Sequence, residues 1–298
     1  MRIASLLPGA TEVVAALGLV EHLVGVSHEC DHPGEVRRLP RLTSSPLDST
    51  LSGAAIDAAV RSRVMQGLSL YDVDEAALAA VRPDVVLTQD TCKVCAVDHE
   101  TVVRAARRVL GTHVQVLALS PMSFEDVLAD IARVSAVADV DAAEVVSGLR
   151  ARLEALRART ASLPKRRVLH LEWLEPPMVA GHWTPSLLEA AGGEPILAHP
   201  GRPTVGTTYD ALAEQAVDVV LASPCGYPVD KTLAELEPLR QHRVLQGPVH
   251  VIDGNAYFNR PGPRLVDSAE LAAHALHPEV FGAHPAVKLV ASRSRDDS

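Results

Sequence analysis

The sequence predicts an α/β fold made of two Rossmann-like lobes with mainly parallel sheets, joined by one long backbone α-helix. Three observations carry this. Short runs rich in Val, Ile and Leu alternate with amphipathic helical runs along nearly the whole chain, the pattern of a parallel sheet with helices on both faces. One helical stretch, Asp141 to Leu163, separates two such halves. The 298 residues, 47% of them apolar, suffice for two ordinary cores. The expected division is an N-terminal lobe over 1–140, a bridging helix over 141–164, a C-terminal lobe over 165–280 and a tail over 281–298.

The bridging helix reads clearly. Val145, Leu149, Leu153 and Leu156 recur at steps of three and four, so they share one face. Arg150, Arg152, Glu154, Arg157 and Arg159 occupy the rest, Asp141 and Glu144 stand in capping-box spacing, and Pro164 stops the run. At about 1.5 Å per residue such a helix spans roughly 30 Å.

In the first half, Ile3 to Leu7 reads as a strand ended by Pro8-Gly9, and Thr11 opens a helix that stops at Gly18. Leu23 to Val26 is the next strand, and residues 40–52, rich in Pro, Ser and Thr, read as a loop. Helices follow over Ser52 to Met65 and from Asp74 to Pro83, then a buried strand over Asp84 to Thr88. A helix over His99 to Leu110, a strand over Val114 to Leu117 and a helix over Phe124 to Ala138 complete it. In the second half, strands are expected over Arg167 to Leu171, Asp218 to Leu221 and His250 to Ile252. Helices are expected from Gly181-His182-Trp183-Thr184-Pro185 to Gly192-Gly193, over Tyr209 to Ala216, and over Arg264 to Ala275. One internal match suggests a duplicated layout. Ala77-Leu78-Ala79 leads to Asp84-Val85-Val86-Leu87 as Ala211-Leu212-Ala213 leads to Asp218-Val219-Val220-Leu221, although any helix–loop–strand unit in an alanine-rich chain resembles this.

The formal net charge of −9 argues against nucleic acid or an anionic membrane surface as partner. No run is long and apolar enough to insert in a bilayer. Met1-Arg2 leads directly into a strand without a secretory leader, so the expected location is cytoplasmic, with Cys30, Cys92, Cys95 and Cys225 reduced. A periplasmic or cell-surface location is expected only if the true start lies upstream.

Candidate chemistry gathers on strand-end loops, the edge at which open α/β sheets bind ligands. His28-Glu29-Cys30-Asp31-His32 matches the zinc-protease pattern His-Glu-x-x-His only formally. It follows a strand, and Pro33 biases His32 away from helical geometry. The loop is either plainly polar or directs His28, Glu29 or Cys30 at a ligand. Cys92-x-x-Cys95 fits a zinc half-site, a redox pair or two small buried residues. As a metal site for zinc or an iron–sulfur cluster it would recruit Cys30, with either Cys225 or a histidine as a further ligand. Both tryptophans fall in Glu172-Trp173 and His182-Trp183. In a chain only 3% aromatic, they read as ordinary packing or as a flat apolar ligand wall that Tyr227, Tyr257 and Phe258 extend. Arg260, flanked by Asn259 and Pro261-Gly262-Pro263, reads either as a partner for an anionic or amide group of a ligand or simply for a nearby carboxylate. No glycine-rich dinucleotide loop, phosphate-binding loop or nucleophile elbow is found, so no catalytic residue is assigned.

The stretch Arg2-Ile3-Ala4-Ser5-Leu6-Leu7-Pro8-Gly9-Ala10-Thr11-Glu12, with Leu17-Gly18 and Val24-Gly25-Val26-Ser27, resembles the opening of iron-siderophore and cobalamin substrate-binding proteins of ABC importers. Arg82-Pro83-Asp84-Val85-Val86-Leu87, Gly181-His182-Trp183 with Gly192-Gly193, and Arg260-Pro261-Gly262-Pro263-Arg264-Leu265 are similar to the cobalamin-type branch. The resemblance reaches to about His277. The His28 and Cys92 loops look like the mark of a leaderless subgroup. It implies two lobes bridged by one helix, a small-molecule ligand clamped in the cleft between them, and an ABC permease as partner, a role that the missing leader opposes. The function expected is a non-catalytic binding protein for a cobalamin-like corrinoid or another metal complex. Its ligand would meet Pro8, His28, Glu29, Glu172, Trp173, His182, Trp183, Tyr227, Asn259 and Arg260. The alternative is a cytosolic metal- or iron–sulfur-dependent enzyme using Cys30, Cys92 and Cys95.

Overall fold

A computed structural model describes residues 1–66, 68–89 and 99–292. The chain divides into two compact units, one ending at Ser147 and the other beginning at Gly148, with Ser52–Ala54 and Met122–Phe124 grouped with the second.

The first unit contains β1 (Ile3–Ser5), α1 (Pro8–Ala16), β2 (Leu23–Val26), β3 (Thr43–Ser44), α2 (Gly53–Met65), β4 (Asp72–Val73), α3 (Glu75–Val81), β5 (Val85–Gln89), α4 (His99–Leu110), β6 (Gln115–Leu119) and α5 (Phe124–Ala138). Its main sheet runs β2-β1-β5-β6, parallel throughout. Ala4, Leu6 and Val86 pack with Leu42, Leu78, Val102 and Ala106 in one buried core. Asp74, where the sequence places the start of this helix, caps α3 by accepting the Ala77 N–H at 2.8 Å.

Two expectations fail here. α1 starts at Pro8, three residues before Thr11, because proline at the first helical position has its φ preset and no N–H to satisfy. Thr11 lies inside the first turn with its hydroxyl turned inward. The 40–52 loop is not wholly irregular either. Thr43–Ser44 pairs antiparallel with β4, a two-residue ladder with no hydrophobic period to betray it.

α6 (Ala143–Thr160) spans the division between the units. Leu149, Leu153 and Leu156 are buried on it as their spacing predicts, each burial worth about 1.5–3 kcal/mol. Asp141 accepts the Ala143 N–H at 2.8 Å, serving the helix start. Arg152 on its exposed side reaches Asp267 and Glu270 at 2.5 and 2.7 Å.

The second unit continues with β7 (Arg166–Trp173), β8 (Met178–Val179), α7 (Thr184–Ala190), β9 (Gly193–Pro195), β10 (Val205–Gly206), α8 (Tyr209–Ala213), β11 (Val219–Ala222), α9 (Val229–Leu239), β12 (Val249–Val251), α10 (Leu265–Leu276), α11 (Pro278–Phe281) and β13 (Lys288–Val290). Its core is parallel, β9-β7-β11-β12, and its rims are antiparallel, with β8 and β10 on one side and β13 on the other. Register places Leu169, Val220 and Val249, then Leu171, Ala222 and Val251, in rows on one face. There they pack with Leu212, Leu236, Leu239 and Leu245. His170, Leu221 and His250 form the row between, which alternation sends to the other face.

The helix α9 and the short strands β8, β9, β10 and β13 have no counterpart in the sequence-based expectation. α9 carries Pro238 in its last turn. The strands are two or three residues long, so partners far along the chain define them, not their own pattern.

The internal match has a physical counterpart. In the first unit the Arg2 N–H donates to Asp84 Oδ2 at 2.7 Å, the Asp84 N–H donates to the Arg2 carbonyl at 2.8 Å, and the Arg2 guanidinium donates to the Val81 carbonyl at 2.8 Å. In the second, the Arg167 N–H donates to Asp218 Oδ2 at 2.8 Å, the Asp218 N–H returns to the Arg167 carbonyl at 2.9 Å, and Arg167 Nε donates to the Ala216 carbonyl at 2.7 Å. Each latch ties the start of two neighbouring strands together. Replacing either carboxylate, Asp84→Ala or Asp218→Ala, is expected to lower stability by about 1 kcal/mol, read as a reduced urea midpoint with unchanged slope.

Candidate functional site

The first unit presents Pro8 at the carboxyl end of β1 and the Ser27–Cys30 turn at that of β2. Arg41 fastens this turn by donating to the Ser27 and Cys30 carbonyls at 2.9 and 2.8 Å. Cys30 is only 1% exposed, and its sulfur lies 3.0 Å from Thr11 Oγ1 and 3.2 Å from Ser27 Oγ. That thiol faces the interior. Glu29 is exposed. His28 is half-buried, its Nδ1 is 2.8 Å from Thr43 Oγ1, and its ring lies 5.7 Å from Tyr71. Burial, then the Arg41 charge, lowers its pKa below the usual value. Cys92 and Cys95 lie outside the described residues.

In the second unit the predicted residues converge. The loops leaving β7, β11 and β12 are tied to each other by their backbones. The Cys225 N–H donates to the Glu172 carbonyl at 3.0 Å, and the Gly254 and Asn255 N–H groups donate to the Tyr227 carbonyl at 2.9 and 3.1 Å. Asn259 Nδ2 donates to the Ser223 and Gly254 carbonyls, both at 2.9 Å. Across these ties the Trp173 and Tyr227 rings meet edge-on, 5.1 Å apart. Lys231 Nζ stands 4.1 Å over the Tyr227 ring. The Tyr227 hydroxyl is buried, with no hydrogen-bond partner among the described residues. Glu172 accepts from Thr204 Oγ1 at 2.9 Å.

His182 and Trp183 sit beside this group, at the entry to α7. His182 adopts φ +54° and its N–H donates to the Arg202 carbonyl at 2.6 Å. The Trp183 indole N–H donates to the Phe258 carbonyl at 2.6 Å. Arg260, 6% exposed, donates to Asn255 Oδ1 at 2.8 Å. Two of the proposed wall residues therefore face inward: Phe258 is 1% exposed and Tyr227 is 5% exposed. Trp173, His182 and Trp183 remain half-buried, and Cys225 carries a partly exposed free thiol.

Among the described residues no group of three or more His, Cys, Asp and Glu side chains is arranged to hold a metal ion. Cys30 turns its sulfur toward the Thr11 and Ser27 hydroxyls.

Residues 3–249 match the family model for the periplasmic binding proteins. The chain belongs to this family. No curated protein matches it. Among solved structures it is similar to a periplasmic heme-binding protein from Pseudomonas aeruginosa, at 21% identity and TM-score 0.73 over 98% of this chain and 99% of that one. It is also similar to the periplasmic vitamin B12-binding protein BtuF of Vibrio cholerae, at 19% identity and TM-score 0.65 over 92% and 96%. The periplasmic heme-binding protein HutB of Vibrio cholerae follows at 19% identity and TM-score 0.67 over 93% and 99%. At such identities the likeness establishes the fold.

The second-unit edge of this periplasmic binding protein carries indoles and imidazole together with the Glu172 carboxylate and the Lys231 ammonium. Burial lowers the pKa of His182, and burial followed by Glu235 raises that of Tyr227, so both are neutral near pH 7. Sequence reasoning missed His170, Ser223, Thr204 and Asn255. Only His170 left a signal, as a titratable residue inside the apolar run Val168 to Leu171.

Two predictions follow from burial and close approach. Desolvation holds the pKa of His170 down to about 3. The unfolded chain binds a proton there near pH 6.5 and the folded one does not, so stability complete above pH 6.5 is lost as pH falls toward 3. The loss is about 1.4 kcal/mol per pH unit over that window, and His170→Gln should flatten the acid side of a stability–pH curve by about one proton. Separately, a Cβ on Gly254 would meet the Pro224 carbonyl oxygen at 2.0 Å. Gly254→Ala should therefore displace the Ser223–Tyr227 loop, lowering the melting temperature and shifting tryptophan emission.

Proposed function

We propose that this protein binds a corrinoid, cobalamin or a close analogue, and catalyses no reaction on it. The observation that carries this reading is the second-unit edge, where Trp173 at the end of β7 and His182 and Trp183 at the entry to α7 offer a partly exposed aromatic and imidazole surface beside loops held by backbone hydrogen bonds. A flat, amide-fringed macrocycle suits such a surface. Its apolar faces stack on indoles. Family membership and the vitamin B12-binding relative support the ligand class. The heme-binding relatives favour a second ligand, heme, which shares the flat metal-centred shape but carries carboxylates. For heme, Arg260 would have to exchange Asn255 for a propionate.

Titration calorimetry with cyanocobalamin, dicyanocobinamide and hemin separates these. Cobalamin or cobinamide is expected to bind with Kd below about 10 µM, equivalent to about −7 kcal/mol. Trp173→Ala should weaken that binding about tenfold, through lost stacking area. Binding of hemin alone moves the assignment to heme, and a flat response to all three ends it. Elemental analysis with a visible spectrum of the protein as isolated tests the Cys30, Cys92 and Cys95 alternative, which requires stoichiometric zinc or an iron–sulfur chromophore.

A further inference from the structure

His170 lies in the middle of β7, fully buried, in the row that faces away from the main core of the second unit. Its Nε2 is 2.6 Å from Ser223 Oγ, and Ser223, itself 1% exposed, is the first residue after β11. The imidazole packs against the ring of Phe258, with centroids 4.7 Å apart and the planes tilted by 41°. Phe258 adopts φ +66°, a left-handed conformation disfavoured for a residue with a bulky side chain. Its N–H donates to Ser268 Oγ at 2.9 Å, its carbonyl accepts the Trp183 indole at 2.6 Å, and its ring rests on His170. Restraints on all three sides hold a backbone conformation that a free chain would leave.

We propose that His170 is the positioning residue of the ligand edge, holding the β11 loop through Ser223 and the Trp183 indole through Phe258. The proposal rests on the binding-protein reading above. One arm runs from His170 to Ser223, whose N–H is bound to the Leu171 carbonyl and whose carbonyl accepts from Asn259. That arm sets the start of the turn carrying Cys225 and Tyr227. The other runs from His170 through Phe258 to Trp183, which projects beside His182 with ring centroids 5.5 Å apart. One buried ring thereby coordinates two loops distant in sequence. A leucine of similar bulk would fill the space and hold neither in place. Glutamine is the informative substitute, because its side-chain amide reaches the position of Nε2 and keeps the Ser223 hydrogen bond.

The test uses the full chain with two readouts. The first needs no ligand: hydrogen exchange of the Trp183 indole N–H by NMR, its signal assigned as the one that persists in Trp173→Phe. The second is the Kd for cyanocobalamin and for hemin. In His170→Leu the indole should exchange at least about tenfold faster and the Kd of the bound probe should rise about tenfold. His170→Gln should return the Kd to within about threefold of the parent, and Ser223→Ala should weaken binding in the same direction. Ser223→Ala also serves if His170→Leu does not fold. Unchanged indole exchange and unchanged Kd in His170→Leu overturn the proposal, as does a glutamine variant no better than leucine, or, if the leucine variant does not fold, unchanged Kd in Ser223→Ala. If the parent binds neither probe, the corrinoid and heme readings fail, and indole exchange alone decides whether His170 positions Trp183.

Discussion

The parallel register of β7, β11 and β12 is the constraint on which the candidate site depends. Strands aligned in one direction deliver their carboxyl ends to one edge, and the chain leaving each must satisfy its backbone polar groups without further ladder. Here the loops satisfy each other. Glu172 takes the Cys225 N–H, Tyr227 takes those of Gly254 and Asn255, and Asn259 spans Ser223 and Gly254. Gly254 is required because its Cα lies against the Pro224 carbonyl, where a side chain has no room. Backbone hydrogen bonds thus fix the loops of the edge, and side-chain contacts set its rings: the Trp183 indole donates to the Phe258 carbonyl and the Trp173 indole to that of Glu175.

The electrostatic character of this edge follows from the same packing. His170, buried, and His250, half-buried, lie on one row and His182 is half-buried at the edge, and desolvation lowers the pKa of all three. Arg260 is buried with Asn255 as its amide partner. These neutral rings stand beside the Glu172 carboxylate, which accepts from Thr204, and the Lys231 ammonium over the Tyr227 ring. The first unit treats its own edge differently. Cys30 turns in toward Thr11 and Ser27, and His28 leans on Thr43 and Tyr71.

Both units secure the opposite edge with one device. Arg2 with Asp84, and Arg167 with Asp218, form the same exchange of backbone and carboxylate hydrogen bonds between neighbouring strand starts. The Ala-Leu-Ala…Asp-Val-Val-Leu match pointed to these positions, and the shared latch gives it physical content: the aspartate begins each strand because it must reach the neighbouring N–H. The carboxyl edges, where the two units need not resemble each other, diverge.

Long periodic elements were legible in the sequence. α4, α5 and β2 fall where their patterns put them, and the buried leucines of α6 are those its spacing predicts. These signals are local, since an amphipathic stripe and a capping aspartate carry their information within one or two turns. The start of α1, the Thr43–Val73 pairing and the antiparallel rims were not legible, because a two-residue strand exists only through its distant partner. The sequence by itself determined the α/β class, the helix at the division of the units and the strand ends on which the candidate residues lie. Tertiary structure alone decided which of those side chains face outward. It buried Tyr227, Phe258 and Arg260, turned Cys30 inward, and set His170 beneath Ser223 and Phe258. A side chain's direction on a loop is fixed by hydrogen bonds and packing from residues dozens of positions away, and no local pattern records them.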